Sequence, residues 1–288
     1  MAAFHIRAIS RTSLYSPNNT GSDAAIFKAV CDCLTERGHI ISLQTEEEFR
    51  SSTETMMYAL TMLRNDDSIK KMQDAEQKGC CSVNSAFGIQ NCKREQLTKT
   101  LIEMGVPHPK SIIADTTENI ISLMENIQMQ QCWLKRSDHH AIHKEDVSYA
   151  RHREEAQELL AEYALRGIKR VVINEHLKGD LIKFYGVADT SFFHWFYPFD
   201  NAHSKFGLEK VNGKSMQIPF DLEKMQHFCR QAAEALHVKV YGGDCIVSED
   251  GSIRIIDFND WPSFSPCRKE AAVAIANCTE QTFKNHNK

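Results

Sequence analysis

The sequence predicts a mixed chain, α/β and α+β, with a small open α/β domain in front of a larger α+β portion. Three observations predict it. Apolar β-type runs alternate with helical periods over the first third of the chain. Three β-rich runs, RVVINEHL, LIKFYGVA and SFFHWFYPF, follow one another from residue 170 to residue 199. Near the end, HVKVYGGDCIVSEDGSIRIIDF has the alternation and the Asp-Gly pair of a β-hairpin.

The elements follow in order. Ala3–Ile9 is a short apolar strand, and Arg11–Asp23 is polar with a Pro-Asn-Asn-Thr-Gly turn. Ala24–Arg37 has helical spacing at Ala25, Val30, Cys33 and Leu34, and Gly38 stops it. HIISLQ is a second strand, Thr45–Phe49 lines a turn, and Thr53–Leu63 reads as helix. Asp67–Lys78 is a helix ended by Gly79, CCSVNS a strand, and Asn91–Met104 a helix capped by Gly105. The prolines of VPHPKSIIAD keep the chain extended to Ser111. Thr116–Met129 reads as helix, QCWLKRSD as strand and Glu154–Arg166 as helix. The three β-rich runs come next, then the polar excursion Ala202–Gln217 and the helix Leu222–Leu236. The hairpin and a terminal helix at Ala271–Cys278 complete the order. A first domain at 1–93 and a second portion at 94–288 fit it.

Composition narrows the class. Hydrophobic residues make up 42% and charged residues 25% of the 288, an ordinary globular balance. The formal net charge is -4, with no basic tail or charge block to suggest nucleic acid or an anionic membrane as partner. MAAFHIRAIS lacks the features of a secretory signal, so cytoplasm is the expected location. The ten cysteines form no paired C-x-x-C layout and read as buried free thiols. His139, His140 and His143 are the only histidine cluster, without the carboxylates of a zinc site.

The candidate chemistry centres on the hairpin. At period two, Ile255, Asp257 and Asn259 share one face of the strand IIDFNDWPSF. A two-residue tip at Asp250-Gly251 places Asp244 directly opposite Asp257. Two facing acids repel unless a cation lies between them, and two carboxylates with an amide oxygen suit hard Mg²⁺ shared with phosphate oxygens. A three-residue tip would slip the register and part the acids, and a salt bridge or a turn-capping aspartate explains the same residues without metal. Lys135 ends an apolar strand and Lys183 lies within LIKFYGV. Each is either a solvent-facing lysine on a strand or a point charge for phosphate. Glu175 and Asp180 are either turn acids or hydrogen-bond acceptors. No Walker sequence and no G-x-G-x-x-G occurs. FFHWFYPF packs a core or stacks on a ring-bearing ligand.

The ordered set Lys135, VINEHLKGDLIKFYGV and YGGDCIVSEDGSIRIIDFNDWPSF resembles the ATP-grasp superfamily. CSVNSAFGIQNCKREQLTKTLIEMGVPHPKS resembles the segment that opens its central domain. The resemblance covers about residues 75–268 and implies the ATP-grasp fold, with ATP and Mg²⁺ as cofactors. It implies phosphate contacts for Lys135 and for Arg94, where the family more often has lysine; Lys93 is the alternative equivalent. It further implies an adenine hinge at Glu175, His176 and Leu177, a ribose contact at Asp180, and Lys183 at the phosphate or the acceptor. Asp244, Asp257 and Asn259 would hold the metal. Two departures stand out. RSDHHAIHKEDV has no glycine where the family has a glycine-rich loop, and Ser263 stands where the common ending has glycine.

The implied activity is an ATP-dependent ligase that joins a small-molecule carboxylate to an amine through an acyl phosphate. The alternative is a kinase of an inositol-phosphate-like or sugar-like hydroxyl, since IKFYGV and IIDFNDWPSF also resemble the inositol-phosphate kinase branch. Its basic pocket would draw on Arg166, Lys169, Arg170, Lys205, Lys210, Lys214 and Arg268, with Arg268 and Lys183 as the catalytic candidates. A nucleotide-binding protein without turnover is a third reading. The expected partner is a small-molecule acceptor, and a homo-oligomer stays open.

Overall fold

The structure, a computed structural model, describes residues 3–11, 20–137, 146–198 and 214–287. Its described strands form three four-stranded sheets. The first holds β1 (His5–Ser10), β2 (Ile40–Thr45), β3 (Tyr58–Thr61) and β4 (Cys81–Val83) in the order β2-β1-β3-β4, all parallel. Helix α1 (Thr20–Glu36) covers one face, with Ile26, Phe27, Val30 and Leu34 packed against Phe4, Ile6, Tyr58 and Leu60. On the other face, α2 (Glu46–Ser51), α3 (Asp66–Gln77) and α4 (Ala86–Asn91) bring Phe49, Ile69, Met72 and Ile89 onto Ile9, Ala59 and Leu63.

Two expectations fail here, each for its own reason. Thr53–Leu63 is not a helix, because its centre is the strand β3. All four residues of β3 are buried, so it lacks the alternation that marks a half-exposed strand. Thr45–Phe49 is not a simple turn. Thr45 accepts from the Glu48 N–H while the Glu48 carboxylate accepts from the Thr45 N–H, a capping box that starts α2. The turn read in Arg11–Asp23 falls mainly on residues outside those described.

The second sheet is antiparallel: β5 (Ser111–Asp115), β6 (Cys132–Arg136), β7 (Val147–Ala150) and β8 (Arg170–Glu175) in the order β5-β8-β6-β7. Helices α6 (Ile121–Asn126) and α7 (Arg153–Leu165) bury Cys132, Leu134, Val171 and Ile173 on one face. Trp133 and Lys135 therefore project from the other face. Helix α6 is much shorter than the expected Thr116–Met129.

The third sheet is also antiparallel: β9 (Asp180–Val187), β10 (Phe193–Phe196), β11 (Val240–Val247) and β12 (Ile253–Asp260) in the order β10-β9-β11-β12. Helices α5 (Arg94–Glu103) and α8 (Leu222–Leu236) back one face through Leu97, Leu101, Met225, Cys229 and Leu236, against Ile182, Phe184, Cys245 and Phe258. The opposite face carries Lys183, Asp244, Asp257 and Asn259. Strand β10 divides FFHWFYPF between the two cores: Phe193 and Trp195 join the α8 side, while Phe196 joins the core shared with the first sheet. The last helix, α9 (Arg268–His286), returns to pack on α1 and completes that first core. All ten cysteines are free, eight of them buried. Among the described residues no helix is long and apolar enough to cross a membrane.

Candidate functional site

Strands β11 and β12 place Asp244 directly opposite Asp257, by a different route from the one the sequence suggests. The tip is not the two-residue Asp250-Gly251 pair. The Ser248 N–H donates to the Ser252 carbonyl at 2.9 Å, leaving Glu249, Asp250 and Gly251 as a three-residue loop. Gly251 takes a left-handed φ of 75° there. That tip slips the register by one. A bulge at Ile256, between the pairs Cys245–Ile255 and Asp244–Asp257, slips it back. The bulge also reverses Ile255, which is buried with Phe258 in the α5–α8 core. Ile255 therefore does not share a face with Asp257 and Asn259. The latter two remain neighbours, with Asn259 Nδ2 3.4 Å from Asp257 Oδ2.

Three cations surround the two carboxylates. Lys183 is the strand partner of Asp244, and its Nζ donates to both Asp244 oxygens at 2.8 and 3.1 Å. Arg94, the first residue of α5, brings Nη1 to 3.6 Å from Asp257 Oδ1. Lys93 instead stands at the N-cap position with its side chain paired to Asp66 at the surface, so Arg94, not Lys93, joins the cluster. Lys135 is buried and donates to the carbonyl of the bulge residue Ile256 at 3.1 Å. Burial, and secondarily Arg94, lowers its pKa to about 8, while Asp257 and Asp244 pull the other way. Three cations against two carboxylates leave an excess of positive charge, suited to a polyanion.

Sequence reasoning missed His108. Its Nδ1 donates to the Ile255 carbonyl at 2.7 Å, and the Pro107 carbonyl accepts from the Ile255 N–H at 2.9 Å. The linker thus covers the edge of β12 just before the bulge. Burial lowers the His108 pKa to about 4, so the ring is neutral at pH 7. The only local signal was a histidine between two prolines.

The expected hinge forms the end of β8. Glu175 Oε1 accepts from the Lys110 N–H and the Glu175 N–H donates to the Lys110 carbonyl, both at 2.9 Å. The His176 N–H donates to the Gln131 carbonyl at 2.8 Å, and His176 Nδ1 accepts from the Trp133 indole N–H at 3.1 Å. Leu177 follows, half-buried. The rings of Trp133, Tyr149 and His176 form a half-buried aromatic group beside this hinge and on the Lys135 face. Only the two-residue spacing of Trp133 from Lys135 hinted at it.

The remaining candidates lie apart. Both oxygens of Asp180 accept backbone N–H groups, of Met216 and Ile218, at 2.7 Å each. Asp180 is buried and pairs with Val247 at the tip end of the hairpin, a structural engagement for a residue expected at ribose. Arg268 opens α9, and no hydrogen bond or ion pair among the described residues joins it to Lys183. Arg166 pairs with Asp146, and Arg170 with Glu95 and Asp115. His139, His140, His143, Lys205 and Lys210, like the glycine-free loop, lie outside the described residues.

The donor set fits a hard divalent cation, with two facing carboxylates and an amide oxygen on one sheet face. Among the described residues no group of three histidine, cysteine or acidic side chains is placed to hold a metal, so any ion here shares its shell with Asn259 and non-protein oxygens.

No protein-family model matches the sequence, and no curated protein does. Solved structures do match in fold. The D-alanine–D-alanine ligase of Bacillus anthracis, in complex with ATP, aligns over 99% of both chains at 13% identity and a TM-score of 0.68. D-alanyl-alanine synthetase A of Vibrio cholerae aligns over 99% of this chain and 100% of its own at 9% identity and a TM-score of 0.72. A RimK domain ATP-grasp protein of Sphaerobacter thermophilus aligns over 95% and 98% at 14% identity and a TM-score of 0.68. The chain has the ATP-grasp fold.

Proposed function

We propose that this ATP-grasp-fold chain is an ATP- and Mg²⁺-dependent ligase that joins a small-molecule carboxylate to an amine. The observation that carries this reading is the register of β11 and β12, which sets Asp244 against Asp257 beside Lys183, Arg94 and Lys135. Similarity to the D-alanine–D-alanine ligases supports a carboxylate as acceptor by analogy of fold.

In this reading Asp244, Asp257 and Asn259 would hold Mg²⁺, and a bound ion would supply charge neutralisation for the phosphates. Arg94 and Lys135 receive the phosphates, and their fixed positive charge favours the transition state of phosphoryl transfer. Lys183 donates to both Asp244 oxygens and its charge would also serve the transferring group. The acceptor carboxylate oxygen attacks the γ-phosphorus, the bond to the β–γ bridging oxygen breaks, and ADP leaves. The amine then attacks the acyl carbon, phosphate departs with the bonding pair, and the amine loses its proton. No side-chain nucleophile is needed. The adenine stands at Glu175–Leu177, where the Trp133, Tyr149 and His176 rings offer it an aromatic wall.

Incubation with a metabolite extract, ATP and Mg²⁺ tests the reading. It predicts an amide product with equimolar ADP and free phosphate, abolished by Asp257→Ala. A stable phosphoester would assign the kinase reading instead. Undiminished turnover in Asp257→Ala would refute the metal role.

A further inference from the structure

Three parallel strands of the first sheet end in residues that grip the open end of the β11–β12 hairpin. After β4, Asn84 binds backbone only: its Oδ1 accepts from the Lys239 and Val240 N–H groups at 2.9 and 2.8 Å, and its Nδ2 donates to the Val240 carbonyl at 2.8 Å. After β3, Arg64 binds a side chain. Its Nη1 lies 2.7 and 2.8 Å from the two oxygens of Asp260, and its Nη2 donates to the Asp260 carbonyl at 3.2 Å. After β1, Arg11 lies 4.0 Å from Asp260 and donates to the Trp261 carbonyl, while Asp23 balances it at 2.8 Å. Glu46 fixes the arginine's own backbone by accepting from the Arg64 and Asn65 N–H groups at 2.8 and 2.7 Å.

This network lies directly next to the candidate metal residues, because Asp260 follows Asn259. Strand β12 is an edge strand broken by a bulge, a combination that twists easily. The tripeptide Asp257–Asn259 is nevertheless held at both ends. On the bulge side, His108 and Lys135 bind the Ile255 and Ile256 carbonyls. On the far side, Arg64 binds both the side chain and the carbonyl of Asp260. Apolar residues of equal volume often seal such an interface at no loss of stability. A guanidinium that holds the carboxylate with one nitrogen and the carbonyl of the same residue with the other adds direction and height to the attachment, which packing does not.

We propose that Arg64, acting through Asp260, is a positioning residue for the metal-holding strand and sets Asp257 and Asn259 at the height of Asp244. The inference rests on the metal reading above. The test titrates the full-length protein with Mg²⁺ in the presence of a nonhydrolysable ATP analogue. It follows nucleotide binding by calorimetry and bound metal by Mn²⁺ electron paramagnetic resonance. The variants are Arg64→Met, Arg64→Lys and, as a destabilised control in the α6–α7 core of the second sheet, Met124→Ala.

Arg64→Met is expected to raise the Mg²⁺ concentration for half-saturation by about tenfold. Arg64→Lys, which keeps the charge and loses the second nitrogen on the Asp260 carbonyl, is expected to raise it less. Met124→Ala is expected to lower the unfolding midpoint and leave the Mg²⁺ midpoint in place. An Arg64→Met protein that unfolds more easily but takes up Mg²⁺ as the parent does would overturn the inference. If Arg64→Met does not fold, Arg64→Lys decides by the same criterion. A parent protein whose nucleotide binding ignores Mg²⁺ would instead overturn the metal reading itself.

Discussion

Asp257 and Asp260 lie three residues apart on one strand and are treated in opposite ways. The Asp257 side chain is 24% exposed, faces another carboxylate and has Arg94 at 3.6 Å. The Asp260 side chain is fully sealed, with Arg64 Nη1 at 2.7 Å and Arg11 behind it. Burial opposes the charge on Arg64, but Asp260 outweighs it, and the pKa of Arg64 is raised. Arg11 has a weaker hold on Asp260. Burial and the neighbouring Arg64 lower its pKa to about 10. The difference teaches that charge density does not mark a site by itself. A sealed and mutually neutralised cluster is framework, whereas an open and loosely paired cluster with spare positive charge is poised to exchange a partner for a ligand.

The sharpest way to break the comparison is to remove each acid. Asp260→Ala takes the carboxylate from the nearly buried Arg64, while Arg11 keeps Asp23, and a loss of about 3 kcal/mol of unfolding free energy in urea is expected. Asp257→Ala leaves a gap open to solvent, and its stability cost is expected to be about 1 kcal/mol or less. Its effect belongs on turnover, which the loss of metal assistance should lower by about a hundredfold or more. Equal stability losses for the two variants would erase the distinction.

A smaller effect is expected from Gly243→Ala. The added Cβ would sit 2.2 Å from the Asp257 carbonyl oxygen and 2.7 Å from the Phe184 ring, where a backbone atom cannot yield cheaply. Forcing β11 from β12 there should cost about 1–3 kcal/mol and weaken Mg²⁺ uptake together. Stability lost without a change in Mg²⁺ uptake would separate the hairpin spacing from the site.

The mildest effect is one of pH. Lys135 has a folded pKa of about 8, below its ordinary 10.5. Between those values the unfolded chain holds the proton and the folded protein does not, so this lysine's contribution to stability rises with pH across that window. Its charge on phosphate changes in the opposite sense. Metal-free affinity for the ATP analogue should fall as pH rises from about 7 to about 9, through the usual pH dependence of a single group. Lys135→Met should flatten that slope in calorimetric titrations.

Much of the hairpin was legible. Period-two alternation and an Asp-Gly pair predicted two strands, and Asp244 does oppose Asp257. The agreement nonetheless came from two departures that cancel, a longer tip and a bulge at Ile256, and only the orientation of Ile255 betrays them. Strand β3 escaped because burial on both faces erases periodicity, and α2 because a helix of six residues is too short to show a period. Contacts of long sequence separation left no local trace. Arg64 meets Asp260 across 196 residues, His108 meets Ile255 across 147, and Asp180 meets Met216 across 36. Lys135, by contrast, was visible as a charge ending an apolar strand, although only the fold shows that it is buried.

The most direct measurement is an anomalous difference map from crystals grown with Mn²⁺ and a nonhydrolysable ATP analogue. The account predicts a metal peak bounded by Asp244, Asp257 and Asn259, with the analogue's phosphate oxygens completing its shell and Lys135 and Arg94 alongside. A peak elsewhere, with those three side chains still paired only to protein, would contradict it.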